Sequence, residues 1–258
     1  MQIVSSVSAT DRGLAYGDGF FTTAKIEFDA VIDWPLHKAR LEECAARLFF
    51  PSLDFTLIEP EVQRLIAGTP LGVLKIIVTR GCGGRGYSLP AHANPHLLLQ
   101  LLPFPEHYLS LRDRGLKLGT SSVKLAPQPL LAGLKTLNRL EQVFIKQELD
   151  LLPFDDVVVC DNNDMVVETS IGNLVWIEGS RVLTSTLDLC GIKGVYLQSL
   201  KSKMDITEAQ ITQEALLNAD AVFVCNSLMG VVPVYAIQNK VWNKNTVTRF
   251  ALEHGLYD

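Results

Sequence analysis

Short apolar runs alternate with helical stripes along the first hundred residues. Phe20–Phe28 and Ala30–Trp34 have the composition of short strands. After Pro35, residues Leu41, Cys44, Ala45, Leu48 and Phe49 recur at i, i+3, i+4, i+7 and i+8, the stripe of an amphipathic helix. A second helix is predicted over Glu61–Ala67. Val73–Thr79 and His96–Leu102, bounded by Gly and Pro, read as strands. The stretch 103–115 (PFPEHYLSLRDRG) is rich in Pro, charge and turn residues and reads as a connection.

Beyond it, Leu137–Leu149 has helical spacing. Strand-like runs follow at Asp156–Cys160, Met165–Glu168, Leu174–Ile177 and Arg181–Thr184, with the hairpin turns DNND and EGS between them. Helices are predicted at Gly194–Lys201 and Thr207–Leu217, and a strand at Ala221–Cys225. The pattern predicts an α/β chain of α+β type in two lobes. A small N-terminal lobe would span 1–104, a connecting segment 105–118, and a larger lobe with much antiparallel strand 119–258.

Composition narrows the function classes. Of 258 residues, 48% are hydrophobic and 20% charged, enough apolar mass for a large core and too much for disorder. Lys and Arg number 23 against 28 Asp and Glu, a net charge of −5. An acidic chain without a basic block is not expected to bind nucleic acid or an anionic membrane. Neither a membrane-length apolar run nor a secretory signal is visible. The five cysteines are scattered and form no CxxC, so a cytoplasmic protein with no disulfide framework and no metal site is expected.

Gly81, Gly83 and Gly86 spell G-x-G-x-x-G directly after a strand. A dinucleotide site needs a helix to open there, so that the pyrophosphate meets its N-terminus. Tyr87-Ser88-Leu89-Pro90 follows, then Pro95, which forbids one. The motif therefore predicts a turning loop, from which Arg85 and Tyr87 could offer a cation and a ring to a site.

Four segments carry the chemistry: Gly17-Asp18-Gly19-Phe20-Phe21-Thr22-Thr23 with His37-x-x-Arg40-Leu41; Gly133-Leu134-Lys135-Thr136-Leu137-Asn138-Arg139-Leu140; Glu168-Thr169-Ser170-Ile171-Gly172-Asn173-Leu174; and Gly191-Ile192-Lys193-Gly194-Val195 with Cys225-Asn226-Ser227-Leu228-Met229-Gly230. Lys135 stands just before a predicted helix between Leu134 and Leu137, and apolar surroundings turn a lysine into a competent amine nucleophile. Glu168 closes a strand-like run. Arg40 begins an amphipathic helix, where its fork suits a phosphate.

Together these segments resemble the class-IV aminotransferase-like family, the fold-type IV enzymes of pyridoxal 5′-phosphate (PLP). The resemblance covers almost the whole chain. Within the family it runs to the lyases of 4-amino-4-deoxychorismate, through residues 133–142, Thr79–Ser88 and Cys225–Met229. It implies that Lys135 carries PLP covalently and is the catalytic base. Glu168 would keep the pyridine nitrogen protonated, and Arg40 would hold the phosphate with help from Ile192, Val195, Tyr196 and Ser227. Phe21, Thr22, Arg85, Tyr87 and Asn226 would face the substrate. Phe21 and Thr22 bring no positive charge beside the amine, so the substrate carboxylate is expected on the more distant Arg85. The implied reaction converts 4-amino-4-deoxychorismate to 4-aminobenzoate and pyruvate in a homodimer. A transaminase of D-amino or branched-chain amino acids would use the same cofactor residues, and a non-catalytic relative is the third reading. The chain departs from the family pattern at Val175, in place of an aromatic. It departs again at Tyr196-Leu197, in place of Thr-Arg, which removes one hydroxyl from the phosphate set.

Overall fold

The computed structural model describes residues 1–83 and 86–257. The chain divides into two units, Met1–Phe104 with Leu134–Asn138, and Pro105–Gly133 with Arg139–Asp258.

The first unit contains β1 (Gln2–Ile3), α1 (Arg12–Tyr16), β2 (Gly19–Glu27), β3 (Ala30–Val31), α2 (Trp34–Arg47), α3 (Phe55–Ile66), β4 (Leu71–Thr79) and β5 (His96–Leu102). Its five-stranded sheet has the order β1-β5-β4-β2-β3. Strand β2 alternates strictly, and Phe20, Thr22, Ala24 and Ile26 are all fully buried. Leu41, Cys44 and Ala45 of α2, and Ile58, Val62 and Ile66 of α3, complete the same core. The first expectations need three changes here. The run Ala30–Trp34 is strand only over its first two residues, because Trp34 already opens α2 with Pro35 in the first turn. Arg40 therefore lies inside α2, not at its start. Helix α3 begins at Phe55 rather than Glu61, with Asp54 accepting the Thr56 N–H; it carries Pro60 internally, which costs one ladder bond without breaking the helix.

The second unit opens with a 3₁₀ turn (Glu106–Ser110) and α4 (Leu111–Arg114), then β6 (Leu116–Thr120), α5 (Leu140–Leu149), β7 (Asp156–Cys160), β8 (Val166–Thr169), β9 (Asn173–Glu178) and β10 (Arg181–Ser185). It continues with α6 (Val195–Lys201), β11 (Thr207–Ala209), α7 (Gln213–Leu216), β12 (Ala221–Asn226), β13 (Gly230–Ile237), β14 (Lys240–Val241) and α8 (Lys244–Glu253). The main path of its nine-stranded sheet runs β11-β10-β9-β12-β13-β6-β7-β8. Strands β7, β8 and β12 are almost continuously buried, as strands covered on both faces should be. The predicted helix Thr207–Leu217 is wrong over its first part: Thr207–Ala209 pairs in parallel with Leu183–Ser185, and only α7 is helical. Strand β13 escapes pattern reading because Pro233 interrupts it, close to a register shift against β6. None of the described helices is long and apolar enough to cross a membrane.

Candidate active site

In the first unit, the lysine segment is a strand edge rather than the approach to a helix. Phe21 N–H donates to the Lys135 carbonyl at 2.9 Å and Leu137 N–H to the Gly19 carbonyl at 3.0 Å, making Phe20 and Thr136 antiparallel partners. Helix α5 accordingly starts at Leu140, not Leu137. The other backbone group of Lys135, its N–H, is directed at the Cys44 thiol, whose proton affinity is raised by burial and only partly offset by that contact. With both peptide groups engaged, the side chain alone remains to be aimed.

The pairing decides which neighbours it meets. Phe21 stands opposite Lys135, on the same face, with the Lys135 Nζ 4.8 Å from its ring centroid. Thr22 points through the opposite face. It is fully buried, and its hydroxyl lies 2.6 Å from the His37 Nδ1 of α2. Its place is thus against α2, away from the Lys135 face. Lys75, the β4 partner of Thr23, shares the Lys135 face and sets its Nζ 5.3 Å from the Phe21 ring. Phe21 and Thr22 themselves bring no charge, as expected, but Lys75 sets a cation beside Phe21 and is a candidate that sequence reasoning missed. Only the strand register reveals it.

Arg40 stays cationic at neutral pH although burial pulls it down to about 10, against the opposing charges of Cys44 and Glu43. Its neighbour His37 is driven down to about 3 by burial and then by Arg40, so it is neutral. Tyr87 is 85% exposed, with its ring 5.4 Å from that of Tyr16. Arg85 lies outside the described residues.

In the second unit, Glu168 on β8 is 6% exposed, and its Oε2 accepts the Ile192 N–H at 2.9 Å. Asn173, at the start of β9, holds the same loop twice: its Nδ2 donates to the Ile192 carbonyl at 2.8 Å, and its Oδ1 accepts the Gly194 N–H at 3.1 Å. A Cβ on Gly194 would stand 2.0 Å from that Oδ1, so a larger residue there must displace the Asn173 side chain and its hold on the loop. The loop leads directly into Val195 and Tyr196, the first turn of α6, where helix N–H groups point outward along the axis. Asn226 and Ser227 occupy the β12–β13 turn. The Asn226 Oδ1 accepts the Leu228 and Met229 N–H groups, both at 2.9 Å, and its Nδ2 donates to the Ile171 carbonyl. This side chain shapes the turn.

The first unit thus offers an amine and a guanidinium, and the second a buried carboxylate and a loop of backbone N–H groups. These suit the aldehyde, phosphate and ring nitrogen of PLP in chemical kind. Residues 19–237 match the model of the amino-transferase class IV family. The chain belongs to the class IV aminotransferase family. That family consists of fold-type IV enzymes and implies PLP as cofactor. The chain is 38% identical over 242 residues to an aminodeoxychorismate lyase of Vibrio harveyi, covering 90% of this chain and 88% of that one. It is 26% identical to a D-alanine aminotransferase of Bacillus licheniformis, over 91% of this chain and 84% of that protein. Its fold is similar to the crystal structure of 4-amino-4-deoxychorismate lyase from Pseudomonas aeruginosa, with a TM-score of 0.88, 35% identity, and coverage of 98% and 97% of the two chains. Asn173, absent from the expected ligand set, holds the same Ile192 loop whose N–H donates to Glu168.

Proposed function

We propose that this chain is a PLP-dependent lyase that converts 4-amino-4-deoxychorismate to 4-aminobenzoate and pyruvate. The observation that carries the reading is the flat Phe21 ring within reach of two ammonium groups, Lys135 and Lys75. That combination suits a planar, unsaturated ring acid: one amine does the chemistry, the other attracts the carboxylate, and the ring stacks. The 38% identity to a named lyase supports the same substrate.

In this reading Lys135 would carry the cofactor, and Arg40 with the N–H groups of Val195, Tyr196 and Ser227 would hold its phosphate; the Ile192 N–H, expected in that phosphate set, donates instead to Glu168, whose carboxylate would serve the ring nitrogen. PLP supplies an electron sink conjugated to the substrate amine. The Lys135 amine takes the proton from the amine-bearing carbon. The ring–oxygen bond breaks, and the electrons of the lost C–H bond close the aromatic ring. The departing enolpyruvate gains a proton and becomes pyruvate, so no water or oxidant is consumed.

We also assign a homodimer to the chain. Leu140, Val143 and Phe144 of α5 are 72%, 58% and 56% exposed and fall at i, i+3 and i+4, an apolar stripe that a second copy would cover. A cytoplasmic setting agrees with five free thiols.

The test is to incubate the purified protein, loaded with PLP, with aminodeoxychorismate. Equimolar 4-aminobenzoate and pyruvate are expected, with none from Lys135→Ala. Alanine, D-alanine and leucine should be about a hundredfold poorer as amino donors, on the order of 2.7 kcal/mol in transition-state stabilisation. Efficient conversion of any of these to its keto acid, with no 4-aminobenzoate, would favour a transaminase.

A further inference from the structure

The described glycines of the motif, Gly81, Gly83 and Gly86, lie against an arginine. Arg12, 3% exposed, donates its backbone N–H to the Gly81 carbonyl at 3.0 Å. Its Nη1 donates to the Gly86 carbonyl at 3.0 Å and its Nη2 to the Tyr87 carbonyl at 3.3 Å. A Cβ on Gly83 would stand 2.8 Å from the Arg12 Cδ. Gly81 and Gly86 take φ values of 82° and 80°, the left-handed backbone that favours glycine. In a dinucleotide fold the same spacing offers N–H groups to an anion. Here the polarity is reversed, and carbonyl oxygens face a cation.

The arginine is itself held. Its Nε donates to the Asp18 Oδ2 at 2.8 Å, and the same carboxylate receives the Nε of Arg80 at 2.8 Å. Burial alone would raise the Asp18 pKa, but the hydrogen bonds from Arg80 and Arg12 more than offset it and keep the group ionised. Arg80 in turn donates to the Leu48 and Phe49 carbonyls at the end of α2. The Arg12 guanidinium also lies 4.9 Å from the Tyr16 ring centroid, the ring on which Tyr87 leans. One side chain thus fixes both the backbone that carries Tyr87 and the surface that its ring rests against.

We propose that Arg12 is the positioning residue of this loop and that, through Tyr87, it sets the enzyme's selectivity for an unsaturated ring acid. The proposal rests on the lyase reading for that acid and for Tyr87 facing it. A lysine at position 12 would keep the charge beside Asp18 but could not fork to two carbonyls as well.

The experiment uses PLP-loaded protein and compares wild type with Arg12→Lys, Tyr87→Ala, the double variant and Gly83→Ala. Each is followed by steady-state kinetics with aminodeoxychorismate, cofactor absorbance and amide hydrogen exchange over 81–90. Arg12→Lys should raise KM tenfold or more with kcat within about twofold, and should speed exchange in 86–88 about tenfold. Tyr87→Ala should raise KM alike, and the double variant should be no worse than the poorer single, since both act along one path. Gly83→Ala, which crowds Arg12 without altering any charge, should reproduce the KM rise and guards against reading a misfolded Arg12 variant. Unchanged KM and exchange in Arg12→Lys, or additive losses in the double variant, would overturn the proposal. A wild type that makes no 4-aminobenzoate would instead overturn the lyase reading; the exchange result would still decide whether Arg12 holds the loop.

Discussion

Burial sets the charge of the histidine that α2 places beside Arg40. The ordinary His pKa of 6.5 falls to about 3 at His37, its Nδ1 is taken by Thr22, and its Nε2 has no hydrogen-bond partner among the described residues. The unfolded chain therefore binds a proton below pH 6.5 that the folded one refuses. Stability is complete above that pH and is lost as pH falls toward 3. Between pH 7 and pH 5 the loss should be about 2 kcal/mol, and His37→Gln should remove most of that slope. Urea unfolding at the two pH values measures it; an unchanged slope would assign it to other groups. Arg40 and Glu168 should separate in a second way. Arg40→Ala should weaken PLP binding by roughly 1.5–3 kcal/mol, the usual worth of a hydrogen bond to a charged group. Glu168→Gln keeps an acceptor for the Ile192 N–H but loses the charge, so PLP titrations should change little while proton abstraction slows. Identical titration curves for the two variants would refute this division. Lys75→Ala should raise KM for the ring acid several-fold and leave PLP affinity alone, whereas a parallel loss of cofactor would make Lys75 a PLP ligand.

At the scale of elements, local pattern and pairing tell different things. Alternation made β2 legible, because burying every second residue is a property of the strand itself. It also puts Phe21 and Thr22, neighbours in sequence, on opposite faces, but it could not say which of the two shares a face with Lys135. That follows from the Phe20–Thr136 bridge, a contact across more than a hundred residues. The Glu168 strand was legible too, as an apolar run ending in a carboxylate, and the resemblance supplied the family. The clamp by Asn173 was less visible, since an amide at a strand start has no distinctive spacing. Gly194 tests that clamp. Gly194→Ala forces the Cβ into the Asn173 oxygen and should cost about 1–3 kcal/mol, as overpacking does, with loss of bound PLP on dialysis. Adding Asn173→Ser should recover part of the thermal stability. If the double variant is less stable than the single, the clash is not the cause.

For the whole molecule, the apolar stripe on α5 makes the sharpest demand. Phe144→Glu places a charge at its centre and, in the proposed dimer, should shift the protein toward monomer in sedimentation at micromolar concentration. A wild type that sediments as a monomer would remove the dimer outright. The return of Leu134–Asn138 to the first unit left no mark in composition, because it consists of two backbone hydrogen bonds and a few buried side chains. It has a consequence during synthesis. Until Asn138 has been made, the Gly19–Phe21 edge of β2 has no strand to pair with, and a nascent chain of the first hundred residues carries an open, apolar border. The lysine segment therefore acts as a late seal on an early-made unit, and the step that closes this edge is the step that delivers the reactive amine.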